Sequence, residues 1–546
     1  MFQKGAGVQK YLKAGYLILM CSALALYMKD GYFELGEAKG ILYLVLSGGF
    51  AAAFAICKVL GAILKARQSA GSSFFGEKRS TRHGQNRSEN AQNAGEDNES
   101  RRQKVRRMPF VTAAGAFLLT NILTLVFAVD KKVAFFGLEG WRTGFLTVAL
   151  MLFFMWIYGE KVTAGGTDAQ SVNTAADSKG KAFGEGEIFE SPLFLAALLI
   201  TPSLEFILAI LGRFGIYPID IYAQNDSFLA TIGNINWYVS YLSVFVPLGA
   251  GLSACAKPFG RRFFLLSIYT FLGLLALLLQ GSESGGLVLL GTYGAMLLMS
   301  LYERKDFKRF VMQLFILGLS METAACLMMV LGGRYTYDAN ALTDICSKHV
   351  GLVLMALSLF LYRLSRFFEE VKGKWRGALY LKICLIAAAV FIAASALIAA
   401  GRFNYDFGNG RGMIWAISLD IYKELPFMQK IFGVGQDCFS AWAYRDPSIA
   451  DSLMSIFEGN TLTNAHSEVI TILIERGLLG LLSYLFLVGS ALFVMLQNKR
   501  KPAAKVCMLP VIAYFLNSLV SFTLPVSTPF MFILLGLGAS GEYPPD

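Results

Sequence analysis

Apolar runs of about 20 residues recur along the whole chain, and no other feature limits its fold so strongly. A run of that length can cross a bilayer as an α-helix. Hydrophobic residues make up 55% of the chain and charged residues only 16%, against roughly 25% charged residues in a soluble domain. The mean hydropathy is +0.53. The sequence therefore predicts an all-α, polytopic membrane protein of about 12–14 transmembrane helices with one large extracytoplasmic loop.

The predicted spans are continuous apolar runs separated by charged or turn-forming residues. They cover residues 14–29, 40–64, 109–128, 142–159, 192–212, 233–255, 262–280, 284–302, 309–332, 348–364, 378–400, 468–496, 504–522 and 524–540. Thr523 barely separates the last two, so a count of twelve or thirteen is the alternative.

Lysine and arginine cluster in alternate loops, which all fall on one side if there are fourteen spans. The positive-inside rule places that side, with both termini, in the cytoplasm. The opposite side receives residues 213–232, 281–283, 333–347 and 401–467. The net charge of +11 is then explained by basic cytoplasmic loops rather than by nucleic-acid binding. We expect a multi-pass protein of the cytoplasmic (inner) membrane.

This topology divides the chain into successive parts. They are N-terminal helices (1–65), a basic cytoplasmic loop (66–107), a helix bundle (108–400) containing a second loop (161–190), the extracytoplasmic loop (401–467) and C-terminal helices (468–546). Both cytoplasmic loops lack apolar periodicity and are predicted to be disordered. A cleaved signal peptide within residues 1–28 is the alternative, but its removal would shift every later basic loop to the outside.

Cofactor signatures are absent from the sequence. No Cys/His cluster has zinc-ligand spacing, and no phosphate-binding loop, dinucleotide fingerprint or nucleophile elbow occurs. We therefore expect no metal and no cofactor. Most of the eight cysteines lie in predicted spans, while Cys346 and Cys438 lie in outward loops and can pair only if those loops meet. His83 lies in the first cytoplasmic loop, where we expect a solvated side chain.

Polar motifs concentrate in the large outward loop. Arg411 and Trp415 are four residues apart, so helical spacing places them on one face. Pro426 marks a break, and Gly433-Val434-Gly435 marks a tight turn.

The end of the same loop carries one of only three histidines. We predict Asn464 as the N-cap of the next helix, which places His466 in its first turn at the positive end of the helix dipole. That position favours a neutral imidazole and a bound anion, and a neutral histidine is a workable general base. Plainer interpretations are an interfacial histidine, an arginine that meets lipid phosphate, and close helix packing at Gly477 and Gly480.

The joint order of these residues resembles the bacterial O-antigen ligase and polymerase superfamily. The matching elements are Arg411 with Trp415, Pro426, the Gly433–Gly435 turn, and His466-Ser467-x9-Gly477-x-x-Gly480, all within residues 408–482. A weaker similarity is Gly233-Asn234-Ile235-Asn236, which is similar to the Gly-Asn-x-Asn element of that family. The family's Ser-Arg pair is missing, because residues 281–286 read GSESGG; Arg402, Arg334 and Arg445 are the candidates for its second diphosphate-binding arginine.

The resemblance implies a ligase-type glycosyltransferase that moves a glycan from an undecaprenyl-diphosphate carrier to a glycan, lipid or protein acceptor at the outer face of the membrane. It implies neither nucleotide nor metal, since arginines can neutralise the leaving diphosphate. Arg411 is expected to hold the diphosphate, and His466 to deprotonate the acceptor hydroxyl, with inversion at the anomeric carbon. The expected substrate-binding residues are Asn234, Asn236, Arg402, Trp415, Gly435, Asn464, Ser467 and Glu475.

Three alternatives stay open. The chain can be a repeat-unit polymerase of surface polysaccharide, a flippase or other transporter of lipid-linked glycans, or a non-catalytic scaffold. Glu205 and Glu322 fall inside predicted spans, where buried acids often mark transport paths. Convergence of Arg411 and His466 at one site favours the enzyme, whereas separate positions favour the other readings.

Overall fold

A computed structural model describes residues 2–72, 108–160, 192–300, 304–370 and 407–540. In these residues nearly all regular structure is helical, which confirms the all-α prediction. The exception is an antiparallel hairpin of strands β1 (Phe228–Leu229) and β2 (Gly233–Asn234), paired Phe228 to Asn234 and Leu229 to Gly233. The predicted span 378–400, the loop segments 73–107 and 161–190, His83 and Arg402 lie outside the described residues.

Most of the predicted apolar runs within the described residues coincide with a helix, although the first helix begins at Phe2 rather than at residue 14. In chain order the helices are α1 Phe2–Leu19 (continued by a π-helical turn, Met20–Leu24), α2 Leu35–Ser72, α3 Met108–Phe127, α4 Lys131–Phe136, α5 Phe145–Gly159, α6 Pro192–Arg213, α7 Ile235–Cys255, α8 Arg261–Leu279, α9 Gly285–Ser300, α10 Arg304–Leu331, α11 Ala341–Ser347, α12 Val350–Glu370, α13 Phe407–Glu424, α14 Phe427–Phe432, α15 Phe439–Ala443, α16 Pro447–Ile456, α17 Glu468–Glu475, α18 Gly477–Gln497, α19 Pro502–Ser518 and α20 Thr528–Ser540.

Seven of the described helices are long and apolar enough to cross a membrane, which suggests a multi-pass membrane protein. They are α2, α3, α6, α7, α8, α10 and α18. Helices α11 and α12 form a pair bent by 69°, and α5, α9, α19 and α20 are shorter apolar helices. The predicted count of about 12–14 spans therefore stays a prediction.

Helix α2 continues through Ser72, and its apolar, span-length part ends at Ile63, next to the predicted end of that span at residue 64. The predicted span 468–496 is two helices, because Gly477 adopts a left-handed conformation with φ +68° and interrupts the run after Arg476. An apolar stretch read by composition alone conceals such a break.

Buried charged side chains on α6 hold the β-hairpin. Both carboxylate oxygens of Glu205 accept hydrogen bonds from Thr231, one from its backbone N–H at 3.0 Å and one from its hydroxyl. Arg213 donates to the backbone oxygen of Asp226 at 2.7 Å and to that of Gln280. These bonds give Glu205 a structural role in holding the turn of the hairpin.

Glu322, the other acid considered for transport, is also bonded. Its Oε1 atom lies 2.8 Å from Nδ1 of His349, in the turn between α11 and α12. This contact ties α10 to the following bent pair, which is a packing role.

Residues 407–467 fold mainly as the four helices α13–α16 over a small apolar core of their own. Ile414, Leu425, Phe439, Leu453 and Leu462 are buried there, together with residues of α4 and α17. Apolar packing therefore joins the segment to α4 and α17.

The cysteine pair considered for the outward loops does not form. Cys346 and Cys438 are both buried free thiols, and Sγ of Cys438 donates instead to the backbone oxygen of Asp130 at 3.5 Å.

Candidate functional site

The Gly433–Gly435 turn and the break between α17 and α18 interlock through backbone atoms. The N–H of Val434 donates to the oxygen of Ile474 at 3.1 Å, and the N–H of Gly435 donates to that of Glu475 at 2.9 Å. A Cβ atom on Gly433 would lie 2.1 Å from the oxygen of Glu475. The close approach requires glycine at this position, so the two family-like motifs form one structural unit.

The two glycines of the Gly-x-x-Gly element also have steric roles. A Cβ on Gly477 would lie 2.3 Å from the backbone oxygen of Ile431, and one on Gly480 would lie 2.4 Å from Cβ of Arg476. Gly477 therefore lets α18 meet the loop, and Gly480 leaves room for the Arg476 side chain. Close packing, one of the plainer interpretations, accounts for both residues.

Helix α17 begins later than the sequence suggests. Its N-cap is Ser467, and Asn464 is not a cap: Oδ1 of Asn464 accepts from the N–H of His466 at 2.9 Å. An asparagine that bonds two residues ahead closes a turn, and here His466 adopts φ +49°. The predictions of Asn464 as the N-cap and of His466 in the first helical turn are therefore wrong, because local turn formation wins over capping.

His466 is nevertheless held in a neutral state. Burial and the charge of Arg411 lower its pKa to about 4, while the backbone of Asn464 opposes the shift. The ring meets Phe522 edge to face, with centroids 5.4 Å apart. Its Nδ1 atom is buried and has no hydrogen-bond partner among the described residues. A buried, unpaired imidazole nitrogen is costly unless a ligand supplies the partner.

Arg411 reaches the second family-like motif. Its Nη2 atom donates to Oδ1 of Asn236 at 2.8 Å, from α13 to the first turn of α7. Asn234 caps the same turn, since its side chain accepts from the N–H of Asn236 at 2.9 Å. Burial lowers the pKa of the Arg411 guanidinium, yet an arginine stays charged at neutral pH.

The structure thus brings Arg411 close to Asn236 and His466, with Asn464 bonded to His466 and Asn234 bonded to Asn236. Trp415 lies one turn after Arg411 on α13, as its spacing predicts. The remaining described candidates, Gly435, Ser467 and Glu475, are buried. They contribute to the interlocked turns or to the buried ionisable cluster behind the site.

A buried cluster of ionisable side chains, absent from the sequence-based predictions except for Glu475, lies next to the site. Asp437, Glu468, Glu475 and Arg476 line a cavity of about 20 Å³ with Asn464, Trp141 and Phe522 among the other lining residues, which is room for roughly one water. Burial and nearby Asp437 raise the pKa of Glu475 to about 8. The carboxyl is therefore mostly protonated at neutral pH.

Neutral groups donate hydrogen bonds to the other two carboxylates of the cluster. Oδ2 of Asp437 accepts from the N–H groups of Leu138 at 2.7 Å and Thr143 at 3.0 Å. Glu468 accepts from the hydroxyls of Tyr484 at 3.2 Å and Tyr514 at 3.0 Å. No motif marked these residues in the sequence, because the cluster draws on several distant segments of the chain.

The loop at 281–286 meets a different arginine from those considered. Buried Arg213 bonds to Gln280 beside this loop and lies over the Tyr337 ring at 4.7 Å. Its guanidinium is committed to backbone oxygens. Arg445 is exposed over the Trp442 ring, Arg334 is exposed in a 3-10 turn, and neither forms a hydrogen bond or ion pair with Arg411 or His466 in the described residues.

No protein-family model matches the chain, and no curated protein matches it either. Function is therefore inferred from this chain's own residues and their geometry.

Proposed function

We propose that the protein is a membrane glycosyltransferase of the O-antigen ligase type. It transfers a glycan from an undecaprenyl-diphosphate carrier to an acceptor hydroxyl at the outer face of the cytoplasmic membrane. The observation that carries the proposal is the convergence of Arg411, oriented by Asn236, with neutral His466. An anion-binding guanidinium beside an unpaired imidazole nitrogen supplies the two groups that this displacement needs.

The reaction is a single displacement. The acceptor oxygen attacks the anomeric carbon, and the bond from that carbon to the diphosphate oxygen breaks with its electron pair. His466 takes the hydroxyl proton, and Arg411 binds the departing diphosphate through charge-assisted hydrogen bonds. Because attack and departure occur on opposite faces of the carbon, the configuration inverts.

Donor binding also strengthens the base. The positive charge of Arg411 is one cause of the low pKa of His466. A diphosphate bound to Arg411 offsets that charge, so the pKa of His466 rises towards neutrality. A base with a pKa nearer the working pH transfers protons more effectively. His466 is thus a weaker base in the empty enzyme and a stronger base in the donor complex.

Reconstitution tests the proposal directly. The purified wild-type protein, in detergent with an undecaprenyl-diphosphate glycan extracted from the host strain and host envelope lipids or polymers as acceptors, should produce free undecaprenyl diphosphate and a glycosylated acceptor. A wild-type preparation that is folded but never consumes the donor contradicts the transfer function.

Surface-glycan analysis of a deletion strain separates ligase from polymerase. Loss of surface-attached glycan with retained carrier-linked long chains supports the ligase, whereas accumulation of single repeat units indicates the polymerase. An unchanged glycan profile contradicts both.

A further inference from the structure

Trp141 is presented by a loop whose backbone is fixed by a carboxylate on each side of it. The N–H of Gly140 donates to Oε2 of Glu37 at 2.7 Å, and the N–H of Thr143 donates to Oδ2 of Asp437 at 3.0 Å. Glu37 lies in the first turn of α2, and Asp437 belongs to the buried ionisable cluster. Such anchoring leaves the half-buried tryptophan ring little freedom to move.

Gly36 allows close packing beside the Trp141 loop. A Cβ on Gly36 would lie 2.2 Å from the backbone oxygen of Gly140 and 2.8 Å from Cη2 of Trp237. The start of α2 therefore packs directly against the Trp141 loop and the ring of Trp237. Trp141 of this loop and Trp237 of α7 become neighbours.

Trp141 and Trp237 form an aromatic wall, and Phe522 connects this wall to the candidate site. The centroid of Trp141 lies 5.8 Å from that of Trp237 and 5.0 Å from that of Phe522, and Phe522 contacts the ring of His466. Trp237 directly follows Asn236, the hydrogen-bond partner of Arg411. The aromatic wall and the polar groups therefore border the same region.

We infer that Trp141, supported by Trp237, forms a subsite for the sugar ring next to the carrier diphosphate. The inference rests on the proposed transfer function and adds the part of the substrate that the wall recognises. A pyranose presents several C–H groups on one face, and these are attracted to the electron-rich face of an aromatic ring. Stacking of this kind tolerates changes in the equatorial hydroxyls, so the subsite selects a pyranose without fixing which one.

The test compares sugar-bearing and bare carriers on the full-length protein in detergent. The probes are undecaprenyl diphosphate carrying glucose, galactose or N-acetylglucosamine, and undecaprenyl diphosphate alone. Affinities are measured by titration for the wild type, Trp141→Ala and Trp141→Phe. Trp156→Ala is the matched control, because Trp156 is 48% exposed on α5.

We expect Trp141→Ala to weaken binding of at least one sugar-bearing carrier about 3- to 10-fold, with bare undecaprenyl diphosphate within about 2-fold of wild type. Trp141→Phe should retain most of the affinity, and Trp156→Ala all of it. Equal losses for both kinds of carrier, or no loss for any sugar, overturn the subsite.

The two proposals fail in distinguishable ways. Sugar-dependent binding without any transfer in the reconstituted reaction leaves the subsite intact and overturns the enzyme. Transfer that proceeds while Trp141→Ala binds all carriers like wild type overturns the subsite alone. If Trp141→Ala does not fold, Trp141→Leu gives the same comparison, because leucine keeps an apolar side chain without a ring face.

Discussion

The guanidinium of Arg411 donates a 2.8 Å hydrogen bond to the side-chain oxygen of Asn236, across 175 residues of sequence. Two separate motifs of the family resemblance therefore meet in one contact. An amide oxygen is uncharged, so this contact orients the guanidinium without neutralising it.

Arg411→Lys should lower transfer about 10-fold or more. Lysine keeps the charge but loses the planar fork that grips two oxygens, and charge-assisted hydrogen bonds are worth roughly 1.5–3 kcal/mol. Asn236→Ala should act in the same direction through the donor KM, since it removes only the orienting contact. Steady-state kinetics with varied donor would measure both, and Arg445→Lys on the exposed surface is the control. Normal kinetics in Arg411→Lys would remove this residue from the site.

His466→Ala should abolish transfer while leaving folding and donor binding nearly intact. General-base catalysis contributes typically 10²–10⁴-fold, so the loss should appear in kcat rather than in protein abundance. His466→Gln keeps a hydrogen-bonding head without the basic nitrogen and should also be inactive. A His466→Gln enzyme that works near the wild-type rate would end the general-base assignment.

The pH dependence of activity provides a second test of the role of His466. Only neutral imidazole accepts a proton, so activity is present above the pKa of His466 and lost below it. In kcat/KM, which reports the empty enzyme, this acid limb should fall near the histidine pKa of about 4. In kcat, which reports the donor complex, it should lie at higher pH. If the acid limb of kcat fell at the same pH as that of kcat/KM, or at a lower pH, it would contradict the coupling between Arg411 and His466.

Gly433→Ala should destabilise the protein by about 1–3 kcal/mol or more, because its Cβ would overlap the backbone oxygen of Glu475 and overpacking alone costs that much. Gly489→Ala is the matched control, since open space surrounds that position in α18. There alanine's helix propensity should change stability by at most about 1 kcal/mol in the favourable direction. Thermal unfolding in detergent would measure both, and equal midpoints would disprove the steric account.

Glu475→Gln should change how stability depends on pH. Burial raises the pKa of Glu475 from 4.5 to about 8 in the folded protein, so the folded state holds a proton that the unfolded state has lost between those values. Stability therefore falls as pH rises through this window, by at most about 1.4 kcal/mol per pH unit. Thermal midpoints at pH 5 and pH 8 should differ less in Glu475→Gln than in wild type. Glu458→Gln, at an exposed position, should leave the difference unchanged.

Residues 401–467 should face the outside of the cell, because the basic segments 363–376 and 499–505 on either side are expected in the cytoplasm. In a cysteine-free background, Ser452→Cys on α16 should react with an impermeant thiol reagent in intact cells. Gln497→Cys, at the other end of α18, should react only after lysis. The reverse pattern would overturn the topology.

The helices were predictable because apolar runs leave few other options in a membrane protein. Arg411 and His466 could be singled out as candidates because charged residues and histidines are scarce in such a chain and stood in a recognisable order. The contact of Arg411 with Asn236 could not be foreseen, since pairing across distant helices depends on packing that no local pattern encodes. Trp141 gave no signal either, because a tryptophan just before a span resembles an ordinary interfacial residue.

The errors have equally specific causes. Asn464 has the right identity for an N-cap, but its side chain bonds instead to the N–H of His466. The break at Gly477 was hidden because long apolar runs lie on both sides of Glu475 and Arg476, and the backbone of Ile431, which leaves no room for a side chain at Gly477, is distant in sequence.

The joint between residues 433–435 and 474–475 consists of main-chain hydrogen bonds. The side chains of Val434 and Ile474 therefore do not determine its geometry. Replacements on the outer faces of α14 and α16 can therefore accumulate without shifting the histidine two turns away. A joint built from main-chain atoms in this way tolerates change in the surface around it.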